Sequence, residues 1–113
     1  MVLTRTVGDF PQRIAQHVFG HLLARSLDVK EALRQMEERA WRRWTPGTIA
    51  GQNLLIVGLG AIGREVASVG RAFGMRVKGI RREPCGDAER ARGIHDSGDI
   101  DELLPWAEVV VNL

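Results

Sequence analysis

The sequence predicts an α/β fold in which two helices precede a parallel sheet of about three strands. Three observations predict it. Up to Trp44 the apolar residues recur at helical spacing only, and beyond Leu54 short aliphatic runs alternate with amphipathic stretches. At the first handover from such a run to such a stretch stand three glycines, Gly58, Gly60 and Gly63.

Taken in order, Val2 to Val7 is short, β-branched and alternating, which reads as the end of a strand or an extended entry. Asp9 with Gln12 three residues on, and Pro11 in the first turn, mark a helix start. Ile14, Val18, His21, Leu22 and Arg25 then recur at spacings of three and four. Ala15, Phe19 and Leu23 widen the apolar face, so this helix is expected to be buried on more than one side. A second start falls at Asp28 with Glu31. There Val29, Leu33, Met36, Ala40 and Trp44 form one stripe, and Arg39, Arg42 and Arg43 occupy the last turns, where cations suit the helix dipole. Thr45 to Gly51 breaks that pattern.

Leu54 to Val57 is too short for a helix and suits a strand buried on both faces. Ala61 to Phe73 reads as a helix with Ile62, Val66, Val69 and Phe73 on one side, stopped by Gly74. Met75 to Ile80 reads as the second strand. A polar, glycine-containing connection follows. Asp99 to Leu104 then reads as a short helix and Glu108 to Leu113 as the third strand. Strand, helix, strand, helix, strand with short links is the pattern of parallel pairing through crossovers.

Composition bounds what such a chain does. Its 113 residues are one domain's worth of core, 44% hydrophobic and 27% charged, and no apolar run approaches the roughly 20 residues of a membrane helix. Met1 to Gln16 lacks the basic, apolar and small-residue sections of a secretion signal, and a single cysteine, Cys85, leaves no internal disulfide framework; the expected location is cytoplasmic. Arg64 to Arg92 carries eight basic residues against four acidic ones, while Gly93 to Leu113 carries five acids and no Lys or Arg. With a net charge of +2, that basic stretch suits a phosphate-bearing ligand or a solvated surface equally well.

Gly58, Gly60 and Gly63 fit G-x-G-x-x-G, a weak signal alone. Here a buried strand ends one residue before the motif and a helix opens within it. In that setting the first glycine permits a tight turn and the second lets backbone approach a pyrophosphate. The third lets the helix pack against the strand, and phosphate oxygens rest on free amides at the helix N-terminus. The expected cofactor contacts are therefore Gly58, Leu59, Gly60, Ala61, Ile62 and Gly63. Roughly 20 residues on, where an acidic residue accepts the ribose hydroxyls of NAD, stand Arg81 and Arg82. Two guanidinium groups there suit a 2′-phosphate, so NADP is favoured, with NAD possible; no carboxylate follows until Glu83.

These residues resemble a known family. The stretch TIAGQNLLIVGLGAIGREVASVGRAFGMRVKGIRREP is similar to the opening of the cofactor domain of the D-isomer-specific 2-hydroxyacid dehydrogenases, a group that includes glyoxylate/hydroxypyruvate reductases, phosphoglycerate dehydrogenase and formate dehydrogenase. DELLPWAEVVVNL is similar to that family's L-x-x-L-L-x-x-A-D-x-V-x-x stretch, and IAQH, Ile14 to His17, to its V-A-E-H helix, with Gln16 where the motif has an acid. The resemblance implies an incomplete Rossmann-type sheet. It further implies that residues 1–45 are the end of a substrate domain with linking and interface helices, and residues 46–113 the N-terminal part of a dinucleotide-binding domain. The family's activity, hydride exchange between a nicotinamide and a 2-oxo or 2-hydroxy acid, uses an Arg, a carboxylate and a His downstream of the third strand, beyond Leu113. No catalytic residue is therefore expected within this chain. Its expected partners are the dinucleotide and a second copy bound through the N-terminal helices and the exposed sheet.

Other constellations are set aside. His17 and His21 lie four apart on one helix but have no third metal ligand nearby, so packing or an interface is the better reading. His95 lies in a polar segment and reads as a surface residue, and Cys85 lacks an adjacent His to activate it. Trp41, Arg42, Arg43 and Trp44 mix cations with aromatics as nucleic-acid binders do, yet at a helix end the tryptophans more simply anchor packing. The alternative of a different class is a non-catalytic dinucleotide-binding or interaction module.

Overall fold

The computed structural model describes residues 8–113, so the strand expected at Val2 to Val7 lies outside the described residues. Helices α1 (Phe10–Ser26) and α2 (Val29–Glu37) precede an alternating series: β1 (Asn53–Val57), α3 (Ala61–Ala72), β2 (Arg76–Arg81), α4 (Asp87–Ala91), β3 (Ile94–Asp96), α5 (Ile100–Leu103) and β4 (Val109–Asn112). Single 3-10 turns, Ser97–Asp99 and Leu104–Trp106, flank α5. The sheet order is β3-β2-β1-β4 and every pairing is parallel. It thus has four strands rather than about three.

Strand register explains the two cores. Leu54 and Ile56 of β1 align with Val77 and Gly79 of β2 and with Val109 and Val111 of β4. That face packs with Phe19 and Ala15 of α1 and Val66 and Ala67 of α3. Alternate residues Leu55 and Ile80 point the other way, onto Leu103 of α5. Because β1 is covered on both faces, its run is continuously apolar, as expected of a central parallel strand. The Phe19 and Phe73 rings stack at 5.5 Å, tying α1 to the end of α3. That end is a Schellman closure: the Met75 amide reaches the Gly70 carbonyl at 3.0 Å, the Gly74 amide the Arg71 carbonyl at 2.9 Å, and Gly74 takes φ 78°.

Several expectations need correction. Helix α1 is buried on one side only, through Ala15 and Phe19, while Gln16, His17, Gly20 and His21 are exposed. Asp9 and Asp28 do stand at the N-caps of α1 and α2, but neither side chain caps, and Asp28 is left-handed at φ 51°. Glu31 pairs instead with Arg34 at 2.6 Å and accepts from Gln35 at 2.8 Å. Helix α2 ends at Glu37, not near Trp44: Arg39 turns left-handed at φ 50°, and Gln35 Oε1 accepts the Arg42 amide at 2.7 Å. The cation in the last turn is thus Arg34, and Arg42 reaches back to Glu38 at 2.6 Å. Of the two tryptophans at that helix end, Trp41 anchors nothing among the described residues, being 95% exposed, whereas Trp44 is 38% exposed and so mostly covered. Finally, the polar connection holds an element pair, α4 and β3, and His95 is a strand residue with its side chain only 13% exposed.

Candidate dinucleotide site

The three motif glycines have three different surroundings. Gly58 has φ 109°, and a Cβ built there would stand 2.7 Å from the Leu113 carbonyl. A side chain is therefore excluded by both the turn and its neighbour. A Cβ on Gly63 would fall 2.0 Å from the Gly58 carbonyl and 3.4 Å from Ile56 Cγ2, so α3 lies against β1 only because that hydrogen stays a hydrogen. Gly60 is the opposite case, with nothing within 4 Å of its would-be Cβ. Packing does not require a glycine there, and open space lies above it.

The amides divide likewise. Those of Gly58 and Leu59 both donate to the Ile80 carbonyl, at 2.9 and 3.1 Å, and bind the loop to β2. Those of Gly60, Ala61, Ile62 and Gly63 have no acceptor among the described residues, and no side chain caps α3. Four free donors at the positive end of a 12-residue helix, beside an open surface, fit a diphosphate. Gly58 and Leu59 thus shape the turn, while the amides of Gly60 to Gly63 are left without an acceptor among the described residues, Gly63 itself being buried against the Gly58 carbonyl.

From Gly60 a groove of about 570 Å³ runs between α3 and the β2 and β3 strands. Leu59, Val77 and Ile94 give it an apolar lining, and Arg64, Arg71, Arg81 and Glu83 give it charge. Leu59 lies over Gly79, whose Cβ would meet its side chain at 2.4 Å. Arg64, on the first turns of α3, was not among the residues singled out from sequence; its place in the basic Arg64 to Arg92 stretch was the only signal.

Arg81 and Arg82 end in unlike situations. Arg81, the last residue of β2, turns its guanidinium back into the following loop: Nη2 meets Glu89 Oε1 at 2.7 Å and donates to the Pro84 carbonyl at 3.1 Å. Arg82 is exposed and makes no hydrogen bond or ion pair among the described residues. Glu89 in turn accepts the Gly86 amide at 3.1 Å, at the N-terminus of α4; that amide, and then Arg81, hold its carboxyl below the usual carboxylate range. Arg90 spans to β3 and the next turn, with Asp96 at 2.8 Å and Asp99 at 3.0 Å, and donates to the Cys85 carbonyl at 2.9 Å. Its guanidinium is the main reason the Asp99 carboxyl lies below its ordinary range. His95 Nδ1 lies 3.3 Å from Asp99 Oδ2. Cys85 is buried.

Elsewhere, His17 and His21 lie edge to face at 4.5 Å on the exposed side of α1. Among the described residues no helix is long and apolar enough to cross a membrane.

Residues 19–113 match the family model of the D-isomer specific 2-hydroxyacid dehydrogenase NAD binding domain. The chain belongs to that family. It is the family's dinucleotide-binding domain that these residues form. Among curated relatives, a glyoxylate reductase of Korarchaeum cryptofilum is 36% identical over 117 aligned positions, covering 96% of this chain and 34% of that protein. A D-3-phosphoglycerate dehydrogenase of Bacillus subtilis is 33% identical over 99 residues, covering 85% of this chain and 18% of that one. Among solved structures, a D-isomer specific 2-hydroxyacid dehydrogenase family protein of Aeromonas salmonicida superposes with a TM-score of 0.84 at 31% identity, covering 98% of this chain and 36% of that one. The chain thus spans about a third or less of the length of these relatives.

Proposed function

We propose that this 2-hydroxyacid dehydrogenase domain binds NADP, and NAD less tightly, through the amides of Gly60 to Gly63, on a turn shaped by Gly58 and Leu59, with Arg81 and Arg82 at the ribose end. The single observation that carries the reading is the vacancy above Gly60 beside four unengaged amides. The absence of a carboxylate at the end of β2 supports NADP over NAD, because the last strand residue is Arg81 and the next is Arg82. When bound, the nicotinamide supplies or accepts a hydride at the carbon bearing the substrate's oxygen. This chain's own residues would hold the diphosphate and orient the cofactor. The reaction read for the protein is the interconversion of a 2-oxo acid and its D-2-hydroxy acid, as the glyoxylate reductase relative's name describes for that protein.

Within this reading, residues 1–45 are the end of a substrate domain with linking helices, residues 46–113 begin the nucleotide domain, and the setting is cytoplasmic. A second copy is the partner of the N-terminal helices. The exposure of Leu33, Met36 and Trp41 on and beyond α2 supports that partner, since these apolar side chains are left uncovered by the described residues.

Titration of the chain with NADPH and with NADH, read by cofactor fluorescence, tests the cofactor assignment. Saturable binding that Gly60→Val removes, with an unchanged melting curve, is the expected result. Equal binding by that variant, or no binding by the parent chain, would refute it.

A further inference from the structure

Resting on the dinucleotide reading, one feature of the β2–β3 connection reaches beyond it. The connection contains α4, a five-residue helix with no buried residue. Nothing apolar holds it against the sheet. Its two middle charges hold it instead, Glu89 toward β2 and Arg90 toward β3. These pairs, with the buried Cys85 and its amide bond to Asp96 at 3.2 Å, determine how the segment between Arg82 and Gly86 lies, and Glu83 of that segment lines the groove leading from Gly60.

The two arginines at the end of β2 have equal formal charge but unequal freedom. The Arg81 Nε and Nη2 donors are directed to the Glu83 and Pro84 carbonyls at 3.4 and 3.1 Å, and Nη2 also to Glu89 at 2.7 Å. To reach a nucleotide phosphate this guanidinium must give up a carboxylate that is itself fixed by the Gly86 amide. Arg82, exposed just outside the groove lining to which Arg81 and Glu83 contribute, has no partner among the described residues to give up. We infer that Glu89 is a positioning residue for nucleotide selection: by holding Arg81 back along the loop, it leaves Arg82 as the cation presented to a 2′-phosphate.

This departs from a symmetrical two-arginine clamp, and the two arrangements predict different variants. Dissociation constants for NADPH and NADH, measured by titration of the full chain at fixed ionic strength, are compared as a ratio. Arg82→Ala is expected to weaken NADPH by about ten- to a hundredfold, the worth of a charge-assisted contact, and to leave NADH unchanged. Arg81→Ala should weaken both nucleotides together through the loosened loop and so preserve most of the ratio. Glu89→Gln keeps an acceptor for the Gly86 amide while removing the charge that restrains Arg81. It is expected to raise the preference for NADPH severalfold, because a second cation is released toward the phosphate.

A collapsed ratio in Arg81→Ala with an intact one in Arg82→Ala would overturn the inference, as would an unchanged ratio in Glu89→Gln. All three side chains are at the surface or partly so, and a circular dichroism melt checks that each variant folds; Arg82→Gln repeats the decisive measurement with a conservative change. Failure of the parent chain to bind either nucleotide defeats the dinucleotide reading itself, whereas binding with the wrong pattern of ratios defeats only the role of Glu89. A parent chain that prefers NADH defeats both the NADP assignment and this inference.

Discussion

Gly60 and Gly63 lie three residues apart and face a methyl group very differently. At Gly63 the new carbon would stand 2.0 Å from the Gly58 carbonyl, so Gly63→Ala must push α3 off β1. Overpacking of this kind costs about 1–3 kcal/mol, and the expected result is a lowered denaturant midpoint with nucleotide binding lost alongside. At Gly60 the same carbon meets nothing, so Gly60→Ala should leave the midpoint in place and weaken only the nucleotide. Urea titration with and without NADPH reads both quantities. Equal destabilisation by the two substitutions would show that the glycines serve the same packing role. The residue pattern announced which glycines matter; it did not distinguish the one required by neighbours from the one that leaves room. That distinction rests on a carbonyl 58 and a side chain 56 converging on position 63, a fact of three dimensions.

Among the elements, β1 and α4 are held by opposite means. Leu55 of β1 is fully buried between the sheet and Leu103 of α5, so Leu55→Ala is expected to cost about 2–5 kcal/mol, measured by chemical denaturation. Helix α4 depends on ionised carboxylates. Arg90 lowers the Asp99 carboxyl below its usual value, and the Gly86 amide with Arg81 does the same for Glu89. A group whose folded-state value is depressed stabilises the native state above its unfolded value, and that contribution is lost as pH falls through the depressed one. Protection of the amides around residues 86–92 against hydrogen exchange should therefore decline on acidification below the ordinary carboxylate range, before that of β1. Raising pH from neutrality should leave these two carboxylate contributions intact. Simultaneous loss in both elements would mean that α4 opens only with the whole fold. Strong patterns were legible at this scale: β1, α3, β2 and β4 were all visible as aliphatic or amphipathic runs. The pair α4 and β3 was not. Three half-buried strand residues and a helix without an apolar face carry no hydrophobic period to read.

The whole molecule is elongated, 58 × 36 × 22 Å, and α2 contributes only one buried residue, Gln35. Trp41 at 95% and Met36 at 73% exposure are unusual for large apolar side chains in a protein with a packed sheet. If a second copy covers them, Met36→Asp with Trp41→Asp should shift the chain toward monomer in chromatography with light scattering and leave the thermal transition of the monomer unchanged. An unaltered oligomeric state would exclude these side chains as the contact. The stripe from Val29 to Trp44 was correctly apolar in sequence, yet the helix stops at Glu37, because Gln35 accepts the Arg42 amide and Arg39 turns left-handed.

By itself, the sequence determined the α/β class, the parallel alternation and the glycine turn, since each follows from local periodicity and from residues that only one backbone path tolerates. Only the tertiary structure decided which amides stay free and which arginine stays unpaired, and it alone brought Glu89 to Arg81. Hydrogen-bond acceptors and counter-charges come from strands distant in sequence, and an arginine reads the same in a chain whether its partner is a carboxylate or water.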